Sequence, residues 1–139
     1  MVVSVDAGSQ TTIHPPNKTI IAKRLLYWAL AKTYGKKSIA YMGPVYKSIK
    51  VDGAKAIVSF DEIPTGLTAY DKQLISFEIA GDDKAFHPAT AVISGKTVVV
   101  QSNDVKNPVA VRYAFKDRSE GNLYNVEGLP AAPFRTDNW

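Results

Sequence analysis

The hydrophobic pattern of this chain changes period once, at Gly43-Pro44, and that change restricts the fold to a helix followed by strands. Beyond it, Val45-Tyr46-Lys47-Ser48-Ile49-Lys50-Val51 alternates apolar and polar residues, and Ala54-Lys55-Ala56-Ile57-Val58-Ser59-Phe60 alternates again. Asp52-Gly53 lies between them, a pair that takes positive φ at both turn positions and so predicts a hairpin. Further strands are predicted over 75–79, 89–93, 97–102 and 109–115, with Ser94-Gly95-Lys96 as a second tight turn. Roughly six strands joined by turns, with no second helical stretch, predict an antiparallel β-sandwich. Residues 121–139, rich in Gly, Pro and Asn, predict an irregular but packed tail.

Before the change of period the pattern is α/β. Val2-Val3-Ser4-Val5-Asp6 predicts a short buried strand, Ala7-Gly8-Ser9-Gln10 a loop, and the residues from Asn17, as N-cap, to Tyr34 a helix closed by Gly35. Ile21, Ala22, Leu25, Leu26, Trp28, Ala29 and Leu30 spread over more than the ~100° of an ordinary surface helix, so this helix requires partners on more than one side. One strand and one helix cannot bury each other. The chain is therefore expected to be truncated at its start: residues 1–43 read as the C-terminal strand, loop and helix of an α/β domain, and residues 44–139 as a β-sandwich domain. The expected class is α+β, mainly antiparallel.

Composition narrows the function. With 139 residues, 45% hydrophobic and 22% charged, the chain is of ordinary globular composition, and no apolar run reaches the roughly 20 residues of a membrane span. Seventeen Lys+Arg against 13 Asp+Glu give a formal charge of +4, but the lysines are scattered and Lys36-Lys37 is a helix exit. That argues against a nucleic-acid partner. The absence of cysteine removes disulfides, thiolate metal sites and a cysteine nucleophile, and no cofactor is expected. The opening MVVSVDAGSQ has no basic region followed by an apolar stretch, and no compartment is assigned.

Few residues can carry chemistry. His14, one of two histidines, stands in Ile13-His14-Pro15-Pro16-Asn17-Lys18 immediately before the helix, where an acid–base residue can sit but a surface or capping residue is the more usual occupant. His87, in Phe86-His87-Pro88, reads as structural. Tyr46, Tyr113 and Phe115 at alternating strand positions read as core or cross-strand pairs, with a sugar-stacking platform as the alternative.

The succession IHPPNK, AKRLLYWALAKTYGK, GPVYKSIKVDG, SFEIAGDDKAFHPA, KNPVAVRYAF and GNLYNVEGLPAAPFRTDNW resembles the C-terminal portion of sialate O-acetylesterases of the SGNH-hydrolase superfamily. The resemblance covers practically the whole chain and implies hydrolysis of O-acetyl esters on sialic acids or other acetylated sugars by a serine nucleophile and a histidine base. It places that base at His14. The aspartate of the family's Asp-Ile-His-Pro block is replaced here by Thr12, and Asp6 matches a separate strand-end aspartate. The family's serine, oxyanion-hole glycine and asparagine lie in earlier blocks, and Ser4, Ser9 and Ser38 do not stand in such an elbow. The chain alone is therefore expected to be inactive, with the remainder of the α/β domain or another copy as its partner. Arg135, in Pro133-Phe134-Arg135-Thr136-Asp137, either meets a sialate carboxylate or pins the tail. Members of the family are commonly secreted, periplasmic or lysosomal. The competing functions are a carbohydrate-binding accessory sandwich and a purely structural support.

Overall fold

The structure is a computed structural model and describes residues 1–9, 11–117 and 119–139. Its elements are helix α1 (Lys18–Trp28), continued by a π-helical turn (Ala29–Thr33), and strands β1 (Val45–Asp52), β2 (Lys55–Asp61), β3 (Leu67–Thr68), β4 (Phe77–Ala80), β5 (Phe86–Pro88), β6 (Thr90–Ser94), β7 (Thr97–Gln101), β8 (Ala110–Tyr113), β9 (Tyr124–Asn125) and β10 (Phe134–Arg135). Two four-stranded antiparallel sheets, in the orders β1-β2-β7-β6 and β10-β8-β4-β5, are accompanied by a short β3-β9 pair. Val58, Val98 and Val100 of the first sheet and Ile79, Val111 and Tyr113 of the second are fully buried in one cluster, so the sheets enclose a single core. The fold is α+β, with one α-helix against mostly antiparallel strands. No helix among the described residues is long and apolar enough to cross a membrane.

Alternation made the long hairpins legible. In the first, Asp52 pairs with Lys55, so the two-residue loop is Gly53-Ala54, one position later than the Asp-Gly pair suggested. Only Gly53 has positive φ, at +56°, which suits a turn with glycine at its first central position. The second hairpin repeats the arrangement, with Ser94 opposite Thr97 and Gly95-Lys96 between them.

Elsewhere local bonds override the pattern. The strand predicted from residue 75 starts at Phe77, because Ile75 donates its N–H to Asn122 Oδ1 (3.0 Å) and Ser76 adopts φ +61°. The strand predicted to reach residue 115 stops at Tyr113, because Ala114 turns to φ +48°. That turn breaks the alternation and leaves Phe115 45% exposed rather than in the core. Residues 2–6 form no strand: Ala7 donates to Ser4 O (3.0 Å) in a turn, and no strand lies alongside to complete a ladder.

Phe134 is the hub of the core. Its ring stacks on Tyr46 (5.2 Å between centroids) and meets Phe60 and Tyr113 at 5.7 Å and Phe77 at 6.4 Å. The closing tail is therefore an inner component of the sandwich. Thr136 Oγ1 accepts the N–H of Val111 (2.9 Å), and the Tyr113 hydroxyl accepts that of Leu123 (2.9 Å).

Candidate functional site

The loop bearing His14 is braced by short polar bonds and closed at its base by an ion pair. Thr12 Oγ1 donates to the His14 carbonyl (2.7 Å), and Thr11 N–H donates to Ser9 Oγ (3.2 Å). Asn17 Oδ1 accepts the Ile20 N–H (3.3 Å) and caps α1, as its position in sequence predicted. His14 is exposed, and its imidazole makes no hydrogen bond or ion pair with any described residue.

The base of the loop is Arg24, the one buried residue of α1. Its Nη1 donates to Asp6 Oδ1 and its Nη2 to Asp6 Oδ2, both at 2.7 Å, while Nη1 also reaches the Val3 carbonyl at 2.8 Å. The fork thus ties residues 3–6 to the helix and fixes both ends of the intervening loop. Tyr124 of β9 brings its hydroxyl to 3.5 Å from Asp6 Oδ2, and its ring lies 5.3 Å from that of Tyr70. Burial, reinforced by the Asp6 carboxylate, raises the Tyr124 phenol above its ordinary pKa.

Neither Thr12, which stands in place of the family's aspartate, nor Asp6 contacts the His14 imidazole. Thr12 uses its hydroxyl on the His14 backbone, and both Asp6 oxygens face Arg24. The sequence reasoning missed Arg24, although a signal was present: it stands three residues after Ile21 and four before Trp28, inside the apolar stripe. A cation on such a stripe requires a carboxylate partner.

The loop and helix rest on the sandwich through its closing segment. The buried Asn125 donates from Nδ2 to the Met42 carbonyl (3.0 Å) and accepts the Leu129 N–H at Oδ1 (2.8 Å). A Cβ on Gly43 would run into the Pro130 carbonyl, so only glycine permits this close approach of backbones. An apolar pocket of about 180 Å³ lies at the junction, between Val2 and Val3, Trp28, Met42 and Pro130. Trp28 meets Tyr41 edge-on beside it, at 4.9 Å between centroids. On its other side the helix leaves Leu25 and Leu26 55% and 52% exposed.

Arg135 lies on β10 and has no contact with His14 among the described residues. Its Nη1 donates to the Trp139 main-chain oxygen (3.4 Å) and lies 3.9 Å from Asp137 Oδ2, so it shares the task of pinning the tail with a second arginine. Arg112 grips the buried Asp137 with two bonds, Nε to Oδ1 at 3.0 Å and Nη2 to Oδ2 at 2.7 Å, and this grip holds the Asp137 carboxyl below its ordinary pKa. His87, on the edge strand β5, has Nδ1 3.9 Å from Asp104 Oδ2 and is half-buried, remote in sequence and contacts from the His14 loop. No group of side chains able to hold a metal ion occurs among the described residues.

No protein-family model and no curated protein matches the chain. Among solved structures it is similar to a protein described as a novel carbohydrate acetylesterase from Xanthomonas citri, with 43% sequence identity and a TM-score of 0.89. The match covers 96% of this chain and 31% of that protein, so the chain spans about a third of its relative's length. By fold and sequence together, this chain is related to a carbohydrate acetylesterase over nearly all of its residues.

Proposed function

We propose that this chain is the C-terminal part of a carbohydrate O-acetylesterase acting on acetylated sugars, O-acetylated sialic acids in the first instance, by serine–histidine chemistry. The observation that carries the reading is the 43% identity with a carbohydrate acetylesterase over 96% of the chain. His14 supports it, because an exposed imidazole on a loop fixed at both ends can be presented to groups that this chain does not supply. In this reading residues 1–43 are the edge of an SGNH-type α/β domain and residues 44–139 a sandwich domain. The exposed Leu25 and Leu26 receive the rest of the α/β domain or another copy.

His14 would take the proton from the serine hydroxyl as its oxygen attacks the acetyl carbon, and return it to the departing sugar oxygen. Water then repeats the exchange and releases acetate. An imidazole suits both transfers because its ordinary pKa lies near neutrality. None of the described serines bonds the imidazole, so the chain by itself is expected to be inactive.

The test is an assay with a chromogenic acetyl ester. The 139-residue chain should show no turnover above that of its His14→Ala variant. In the complete enzyme the same substitution should lower kcat by about 10²–10⁴-fold. Turnover by the chain alone that disappears with His14→Ala would overturn the inactivity, and an unaffected complete enzyme would remove His14 from the mechanism. A second reading, an accessory carbohydrate-binding module, is favoured by the exposed rings of Phe115 and Trp139 on the sandwich.

A further inference from the structure

We infer that the outer face of the β10-β8-β4-β5 sheet carries a subsite for a carboxylate-bearing sugar, built on Arg135 and Phe115 and separate from the His14 loop. The first observation is the division of labour between two arginines in register, Arg112 opposite Arg135. Arg112 takes both oxygens of Asp137 at 3.0 and 2.7 Å through Nε and Nη2, reaches the Trp139 main-chain oxygen at 3.4 Å and lies over the Phe86 ring at 3.9 Å, so its guanidinium is engaged mainly within the tail. Arg135 bonds through Nη1, which reaches the Trp139 main-chain oxygen at 3.4 Å and lies 3.9 Å from Asp137 Oδ2, and its side chain is 43% exposed. Its Nε and Nη2 meet no acceptor among the described residues. A rigid fork of donors facing solvent, beside a carboxylate already engaged by another cation, is suited to a second carboxylate in bidentate contact.

The second observation is the aromatic surface next to it. The Arg135 guanidinium carbon lies 5.6 Å from the centroid of Phe115, whose side chain was turned outward by the left-handed Ala114. Trp139 adds a second exposed ring at the end of the tail, with Lys84 Nζ 4.9 Å from its centroid. A guanidinium and an exposed ring at this separation can hold the carboxylate of an acidic pyranose and the apolar C–H face of the same sugar at once. Glu78, opposite Arg112 on β4, is engaged by Lys116 at 2.6 Å. The choice of a sugar rests on the relation to a carbohydrate acetylesterase. It does not require His14 to be catalytic.

Titrating the isotopically labelled 139-residue chain with methyl glycosides of N-acetylneuraminic acid, glucuronic acid and galactose, with acetate as control, tests the site by NMR. The expected result is saturable shifts confined to Phe115, Arg135, Trp139 and their neighbours with one or both acidic sugars, and none with galactose or acetate. A response to one acidic sugar alone identifies the source of the carboxylate. Arg135→Gln should weaken that binding roughly tenfold or more, Arg135→Lys should weaken it less, and Phe115→Ala should weaken it with the fold intact. His14→Ala should leave binding unchanged, which separates this subsite from the esterase reading. No saturable response to either acidic sugar, equal binding of galactose or acetate, or binding indifferent to both Arg135→Gln and Phe115→Ala would overturn the inference.

Discussion

Residues 45–139 and residues 1–44 stay folded by opposite means. The sandwich buries Val58, Val98, Val100, Ile79, Val111 and Tyr113 completely and joins its two sheets through the rings around Phe134. The preceding arm buries one residue of its helix, and that residue is an arginine; its large apolar side chains Leu25 and Leu26 remain in solvent. Apolar burial is non-directional and strong in sum, whereas an ion pair and a cap fix geometry with little energy to spare. The sandwich is therefore where stability resides, and the arm is where a side chain such as His14 can be held in place yet left unpaired. Perturbations of the two regions should differ in extent as well as in size.

The largest effect is expected in the sandwich. Phe134→Ala removes a ring packed against four others and should destabilise the fold by about 3–5 kcal/mol, read by denaturant unfolding. Loss should be global, with every core amide exchanging faster. If only the tail loosened, Phe134 would not be the hub assigned to it.

Alkaline pH should act on the same core. Burial pushes the Tyr113 phenol up to about 12, against a value near 10 in the unfolded chain. Because the folded value is the higher one, the associated stability is complete below about pH 10 and is lost as pH rises towards about 12. The loss amounts to ~3 kcal/mol, and the partly buried phenols of Tyr46 and Tyr124, also raised, act in the same direction. Tyr113→Phe should be weaker at neutral pH by about 1–3 kcal/mol, since Leu123 N–H loses its acceptor, but its alkaline limb should be shallower. An alkaline limb identical to that of the parent would place the titrating group elsewhere. At the acid end the sign reverses: the depressed Asp137 contributes stability that is complete above the ordinary carboxylate range and is lost as pH falls below that range towards its lower folded-state value.

In the arm, Arg24→Ala leaves the Asp6 carboxylate, 17% exposed, facing no cation, and should cost about 2–3 kcal/mol of local stability. The readout is limited proteolysis and amide exchange: residues 3–17 should be cut and exchanged faster while the sandwich amides hold. A fall in the global unfolding midpoint matching that of Phe134→Ala would erase the distinction between the two regions.

This distinction also explains what the sequence made legible. Period-two alternation is generated by a sheet with one face in a core, and the hairpins β1-β2 and β6-β7 follow it. Strands of two or three residues such as β3, β5, β9 and β10 are too short to set up a period, and side-chain bonds such as Asn122 to Ile75 decide where pairing begins. The closing GNLY-N-EGLPA-PFRTD segment was recognisable as a signature, but its work in the fold became visible only in three dimensions. Asn125 joins Met42 to Leu129, Tyr124 approaches Asp6, and Asp137 engages Arg112. Likewise His14 could be singled out from IHPPNK, whereas the Asp6–Arg24 closure spans 18 residues and leaves no local pattern. The exposure of Phe115 depended on one backbone angle, at Ala114, that no residue preference announces.

The smallest effect tests the arm most closely. Asn17→Ala removes the acceptor of the Ile20 N–H and should cost about 1 kcal/mol in the first turn of α1, a roughly fivefold faster exchange of amides there. Since α1 is tied to the rest through Arg24, two turns further on, the global midpoint should stay in place and the Asp6–Arg24 contact should survive. The loop residues Pro15 and Pro16 then gain freedom, and in the complete enzyme any contribution of His14 should fall through kcat rather than KM, because presentation of the base is altered and sugar contacts are not. Faster exchange spreading past Arg24 to the whole helix would mean that cap and ion pair act as one unit, and the arm would have to be described as a single cooperative element rather than as a loop held at two points.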